Sequence, residues 1–314
     1  MHSARSAAIK LPAAAAPGLY ILNYHDVNYE SSVLVRGIGY HHSPDVFARH
    51  VEMLSHAGVL MSMDEALDRL LVGHPFAAPT FAFWFDDGFA GVRRFAAPIL
   101  KRYAVTGALS ICSRFVSRSE MYWHCMLSGL RFADGLRVLR ARLRPHGYLP
   151  TTSLKAWLTR HFSPDILSVV HSTYEERVPD WVRRDAFRIF ETSDGLRALV
   201  QSGWVLANHT AAHYPAFESC GQDRVAEQFA EGAEFVNSLY DGLRFLVVPF
   251  GAAHVQTTAP GFYRGLGVPG IVVDVGNRIN TADTFKSDQV IYRVNPPWED
   301  GKAPPLGASL DAVF

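Results

Sequence analysis

The chain has 314 residues, 48% of them hydrophobic, and equal numbers of acidic and basic residues, so one large α/β unit with an ample core is expected and neither nucleic acid nor an anionic membrane is favoured as a partner. Cys112, Cys125 and Cys220 are widely spaced, form no Cys-x-x-Cys pair and read as reduced packing residues. Residues 1–17 lack the sustained apolar stretch of an export signal and read as a loose segment, and no run reaches membrane-spanning length, so a soluble, cytoplasmic protein acting on a small or neutral molecule is expected, with no oligomeric state specified.

Leu19 to Tyr24 predicts a first strand. After a polar loop, Ser43 as N-cap and Pro44 at the first position predict a helix running to about His56. Gly58 to Met61 reads as a short strand and Asp64 to Val72 as a helix. The run Thr80-Phe-Ala-Phe-Trp-Phe85 predicts a strand buried on both faces, as in a parallel sheet, and it leads directly into Asp86-Asp87-Gly88. A helix is expected from about Ala90 to Tyr103, then a strand from Val105 to Cys112 in which Gly107 marks a close backbone approach. Between about Phe115 and Phe190 the strand pattern gives way to helical spacing, as in Leu136-Arg-Val-Leu-Arg-Ala-Arg-Leu143. Such an insertion either shapes or covers a substrate cleft, or serves as a structural cap or oligomer contact. The alternation resumes with a helix ending near Ser202, a strand Gly203 to Asn208, a helix from about Asp223 to Tyr240, and strands Arg244 to Val248, Ile271 to Val275 and Val290 to Val294. This order predicts an α/β fold, barrel-like or wound, with residues 18–314 as one domain interrupted at about 115–190.

Two strand ends carry the chemistry. Asp86 and Asp87 stand where barrels and open α/β sheets collect their functional groups, although Asp86-Asp87-Gly88 also fits a plain turn with Asp87 capping the next helix. His209 and His213 follow the strand ending at Asn208. If one helical turn follows that strand, both imidazoles face the same way, and two His with one carboxylate make a site for a first-row metal with open positions.

Phe-Asp86-Asp87-Gly88 resembles the first motif of the polysaccharide deacetylases, the NodB-homology group of carbohydrate esterases, and His209-Thr-Ala-Ala-His213 resembles their second motif, His-Ser/Thr-x-x-His. Tyr24-His25 and Pro249-Phe250-Gly251 sit where that family has Tyr-His and Pro-Tyr/Phe-Gly. The resemblance implies a distorted (β/α) barrel of fewer than eight strands and metal-dependent hydrolysis of acetyl groups on sugars. It implies Asp87, His209 and His213 as ligands of a divalent metal, usually Zn2+, with Co2+, Ni2+ or Mn2+ as alternatives. Asp86 is the implied general base, and the backbone N–H of Phe250 the implied oxyanion donor.

The chain departs from the family pattern twice. Where many members carry an Arg that pairs with the base, it has Val247; Arg244, Arg278 and Arg293 are candidate substitutes. It also has no His after His254, which is therefore the candidate general acid, with an ordinary loop histidine as the alternative. His25 is expected either near the metal or in a supporting position. Trp84 points into the barrel mouth or into the helical layer. His41, His42 and His124 read as surface or capping residues, with Tyr122-Trp-His124 able to touch a sugar ring. Gly261 to Gly276 lacks the strand-then-helix context of a dinucleotide site, so no nucleotide cofactor is expected. The function that follows is removal of an acetyl or other small acyl group from an N-acetylated sugar or related metabolite. The alternatives are a deacylase or deformylase of a non-sugar amide, and a metal-retaining sugar-binding protein without turnover.

Overall fold

The computed structural model describes residues 15–29, 32–38, 41–184, 186–215, 221–250, 265–276 and 278–296. Its strands are β1 (Gly18–Tyr24), β2 (Asp26–Val27), β3 (His41–His42), β4 (Val59–Leu60), β5 (Pro79–Phe85), β6 (Ala108–Ile111), β7 (Val205–Asn208), β8 (Phe245–Val247), β9 (Ile271–Val275) and β10 (Val290–Val294). Seven of them form a closed parallel ring in the order β1-β10-β9-β8-β7-β6-β5, sealed by β1 pairing with β5 from Gly18↔Pro79 to Tyr24↔Phe85. The short β4 pairs only with the start of β5, and β2 with β3 forms a separate ribbon. The distorted (β/α) barrel of the polysaccharide deacetylase type, expected from the sequence, is thus the fold observed.

Strand side chains alternate between two layers. Leu19, Ile21, Ala82, Trp84, Ala108, Val205, Ala207, Phe245, Val247, Val273 and Ile291 form one buried cluster that fills the ring. Their sequence neighbours, among them Leu22, Tyr24, Phe81, Phe83, Phe85, Leu109 and Leu206, form a second cluster. The next inward positions are polar: Asn23, Asp86, Ser110, His209 and Arg293 are all at most 4% exposed. The barrel is therefore an apolar plug below a tier of buried polar groups, and that tier is where the site lies.

The expected helix from Ala90 is instead a π-helical turn, Val92–Ala96, followed by an α-helix, Ala97–Lys101. Pro98, with no N–H to donate, sits just past the change of pitch. Gly91 comes so close to the β2 backbone that a Cβ there would stand 2.3 Å from the Val27 carbonyl oxygen. Gly107 is likewise pressed on its neighbours, 2.9 Å from the Phe83 carbonyl oxygen by the same measure. The helix Ala282–Asp288, closed at its start by a Thr281 capping box, had no counterpart in the sequence pattern.

Helices Trp123–Phe132, Leu136–Leu143, Leu154–Arg160, Pro164–Arg177 and Asp180–Arg184 lie between β6 and β7. Ser153 and Ser163 cap the third and fourth through their hydroxyls. Their apolar faces share one buried cluster with Phe229, Leu246 and Val248 of the barrel portion. Where this insertion returns to the barrel, Phe190 stacks on Phe89 and Phe115 at 5.4 and 4.9 Å, and Glu191 N–H donates to the Gly88 carbonyl. Cys112 and Cys125 are buried free thiols, and Cys220 lies outside the described residues. Among the described residues no helix is long and apolar enough to cross a membrane.

Candidate metal centre

β5 delivers two adjacent carboxylates to different surroundings. Asp86 continues the inward series of its strand, and its backbone N–H still donates to the Tyr24 carbonyl, as if the ladder had one more rung. Its Oδ1 accepts from Arg293 Nη1 at 2.5 Å and from the Ser110 hydroxyl. Arg293 Nη1 also donates to Asn23 Oδ1 at 2.9 Å, and its guanidinium carbon lies 5.7 Å from the Trp84 ring centre. Trp84 itself points into the ring, its indole N–H donating to Ser110 Oγ. Burial works to raise the Asp86 pKa, but Arg293, His209, His25 and the Ser110 hydroxyl outweigh it and hold the carboxyl below its usual range.

Asp87 turns away from this network. Its φ is +68°, which reverses the chain between strand and turn. It caps no helix: both carboxylate oxygens are buried without a hydrogen-bond partner. Burial, and then the charge of Asp86, push its carboxyl well up. A buried, unpartnered carboxylate is costly unless a cation joins it. The neighbours are suited to hold that cation. His209 Nε2 lies 3.5 Å and His213 Nε2 3.4 Å from Asp87 Oδ1. Two ligands of a tetrahedral ion at about 2.0–2.1 Å stand ~3.3 Å apart, so the spacing suits zinc or an ion of similar size. Burial lowers the pKa of both imidazoles, so each is neutral. His209 Nδ1 faces the Val247 carbonyl at 3.0 Å; a carbonyl can only accept, so the proton sits on Nδ1 and Nε2 presents its lone pair. Asp87, His209 and His213 are thus brought together as a possible metal group.

The helical turn expected between the two histidines does not form. Thr210 and His213 have φ of +71° and +55°, and Thr210 N–H is held by Asn208 Oδ1, Ala212 N–H by Gln228 and His213 N–H by the Thr210 hydroxyl. Side-chain acceptors replace the helical hydrogen bonds, and the imidazoles converge through a left-handed turn. Phe250, φ +64°, puts its ring 4.7 Å from that of His213. The side chain of Tyr24 lies away from the polar tier, its hydroxyl 3.0 Å from His50 Nδ1. His25 is half-buried, and burial lowers its pKa to about 4 against the pull of Asp86. His254 and Gly251 lie outside the described residues.

Three features were not ranked or were misread from the sequence. Of the three candidate arginines it is Arg293 that meets Asp86; its inward parity with Ile291 was readable, but the strand order that places β10 beside β1 was not. His124 is fully buried, against the expectation of a surface or capping residue, with its ring 6.4 Å from His213 and 5.1 Å from Phe250. The run Tyr122-Trp-His124 was the available signal. Lys155, on the insertion, bears electrostatically on Asp87, His25 and His124, and nothing in its sequence context marked it.

No family model and no curated protein matches the sequence. Among solved structures the chain is similar to IcaB from Ammonifex degensii, with TM-score 0.56, 19% identity, and 89% of this chain and 92% of that one covered. It is similar to the Streptococcus pyogenes deacetylase PplD in complex with acetate, with TM-score 0.56, 14% identity and coverage of 91% and 97%. A de-N-acetylase from Aggregatibacter actinomycetemcomitans gives TM-score 0.56, 15% identity and coverage of 88% and 94%. At these identities the likeness is one of fold.

Proposed function

We propose that the protein is a metal-dependent hydrolase that removes an acetyl or other small acyl group from the nitrogen of an N-acylated sugar or related metabolite. The observation that carries this is the buried Asp87, its two oxygens without partners and the Nε2 atoms of His209 and His213 within 3.5 Å of one of them. A divalent ion held by these three residues keeps a net positive charge, and would polarise an amide carbonyl and acidify water. Asp86 takes the proton of the attacking water in this reading, and its lowered pKa keeps it ionised at neutral pH. Arg293 and Ser110 fix the direction of its carboxylate. The N–H of Phe250 is the donor to the developing oxyanion, a role supported by the position of Phe250 beside His213.

The similarly folded S. pyogenes deacetylase was solved with acetate, the product such a reaction releases. A reading without turnover draws its support from the missing arginine at Val247 and the missing C-terminal histidine, and the ion pair between Arg293 and Asp86 speaks against the first of these. The test is acetate release from a panel of N-acetylated amino sugars, before and after chelation and with zinc restored. Release that stops with the chelator and returns with metal is expected. Release that continues in metal-free protein would sink the proposal.

A further inference from the structure

The two histidines of the candidate metal centre are held in different ways. His209 Nδ1 has the Val247 carbonyl, the kind of contact that ordinarily orients a metal-binding imidazole. Among the described residues, no hydrogen-bond partner on another residue meets His213 Nδ1. The backbone of His213 is also in the left-handed region, at φ +55°, which a non-glycine residue keeps where its surroundings over-determine it. Ring contacts with Tyr122 and Phe250 limit the space of the imidazole but carry no directional bond. Its direction therefore comes from how the chain is fixed on either side of it.

Both sides lead to Arg114, in the helical turn Ser113–Val116 that follows β6. Two residues before His213, the Ala211 carbonyl accepts from the Arg114 backbone N–H at 2.9 Å. One residue after it, the Tyr214 hydroxyl donates to Glu120 Oε1 at 2.7 Å, and Arg114 Nη1 donates to Glu120 Oε2 at 2.9 Å. The rest of the guanidinium is anchored on helix Gln222–Asn237, where Nε and Nη2 donate to the two oxygens of Glu231 at 2.9 and 2.7 Å. That helix also supplies Gln228, which holds the Ala212 N–H. A single exposed ion pair contributes little, but a planar fork shared between two carboxylates fixes a geometry that one pair does not.

Resting on the metal-dependent reading above, we propose that Arg114 is a positioning residue for His213. By holding Ala211 through its backbone and Tyr214 through Glu120, it pins the chain on both sides of the histidine and keeps Nε2 turned toward Asp87.

The test measures zinc affinity by competition with a chromophoric chelator, the visible spectrum of the Co2+-loaded protein, and the Tm of the metal-free protein. Arg114→Met should weaken zinc binding roughly tenfold, the lower end for lost outer contacts of a metal ligand, and should change the Co2+ spectrum. Tyr214→Phe removes one hydroxyl and should weaken zinc binding roughly threefold, with the metal-free Tm unchanged. The two losses should not multiply: the double variant Arg114→Met/Tyr214→Phe should stay at about tenfold, because both changes cut one chain of contacts. Wild-type zinc affinity in either single variant, or a multiplied loss of about thirtyfold in the double variant, would overturn the assignment and leave the metal centre standing. Wild-type protein that takes up no zinc would sink the metal-dependent reading, and this assignment with it.

Discussion

Asp86 and Arg293 are both buried, and neither charge could be left there alone. Arg293→Met should therefore remove more than a contact. Without the guanidinium, burial dominates the Asp86 proton equilibrium, so the carboxyl stays protonated to higher pH. The acid limb of kcat/KM should move upward and activity at neutral pH should fall by about a hundredfold or more, the scale of a lost general base; a pH–rate profile with its acid limb in place would contradict this. A second buried acid makes an opposite prediction. Asp26 has one oxygen without a partner, and burial raises its pKa to about 7. The folded state holds a proton that the unfolded chain releases, so the stability from this group is present at low pH and is lost as pH rises toward 7. Asp26→Asn should raise Tm above wild type at about pH 8, with the gap closing near pH 4; a gap independent of pH would refute it. The pair Asp86-Asp87 and the two histidines were legible because each stands at the end of an apolar run. Arg293, Ser110 and Asn23 were not, because their meeting depends on ring closure, which brings together strands far apart in sequence.

At the scale of elements, β1, β5, β9 and β10 follow directly from their apolar patterns, whereas the connections that build the site depend on side-chain and tertiary contacts. The His209–His213 turn is set by Asn208, Thr210 and Gln228, acceptors that periodicity does not read. The Asp86-Asp87-Gly88 turn is braced by the returning insertion, through the Gly88 carbonyl and the stack of Phe190 on Phe89 and Phe115. Phe190→Ala should cost about 3–5 kcal/mol, measured by denaturant unfolding, and should weaken metal binding more than its distance from the ligands suggests. A loss below about 1 kcal/mol would show that this clamp does not hold the turn.

Across the whole molecule, the barrel and the insertion share one apolar cluster, so the helices between β6 and β7 are part of the core that supports the site. The sequence shows that helices interrupt the strands there, but not that the start of the first of them packs on His213. Folding and metal binding should be linked, because the converging ligands exist only in the closed ring. Zinc at a thousand times its Kd should stabilise the wild-type fold by about 4 kcal/mol, seen as a rise in Tm that Asp87→Ala abolishes; an equal rise in that variant would place the metal elsewhere. In the proposed reaction the two adjacent acids part, Asp87 going to the metal and Asp86 to the proton. Metal content by elemental analysis beside acetate release for wild type, Asp86→Asn and Asp87→Ala tests that division. About one ion per chain in the first two, with release only in wild type and neither metal nor release in the third, is expected. Metal lost from Asp86→Asn, or acetate released by it at the wild-type rate, would contradict that division.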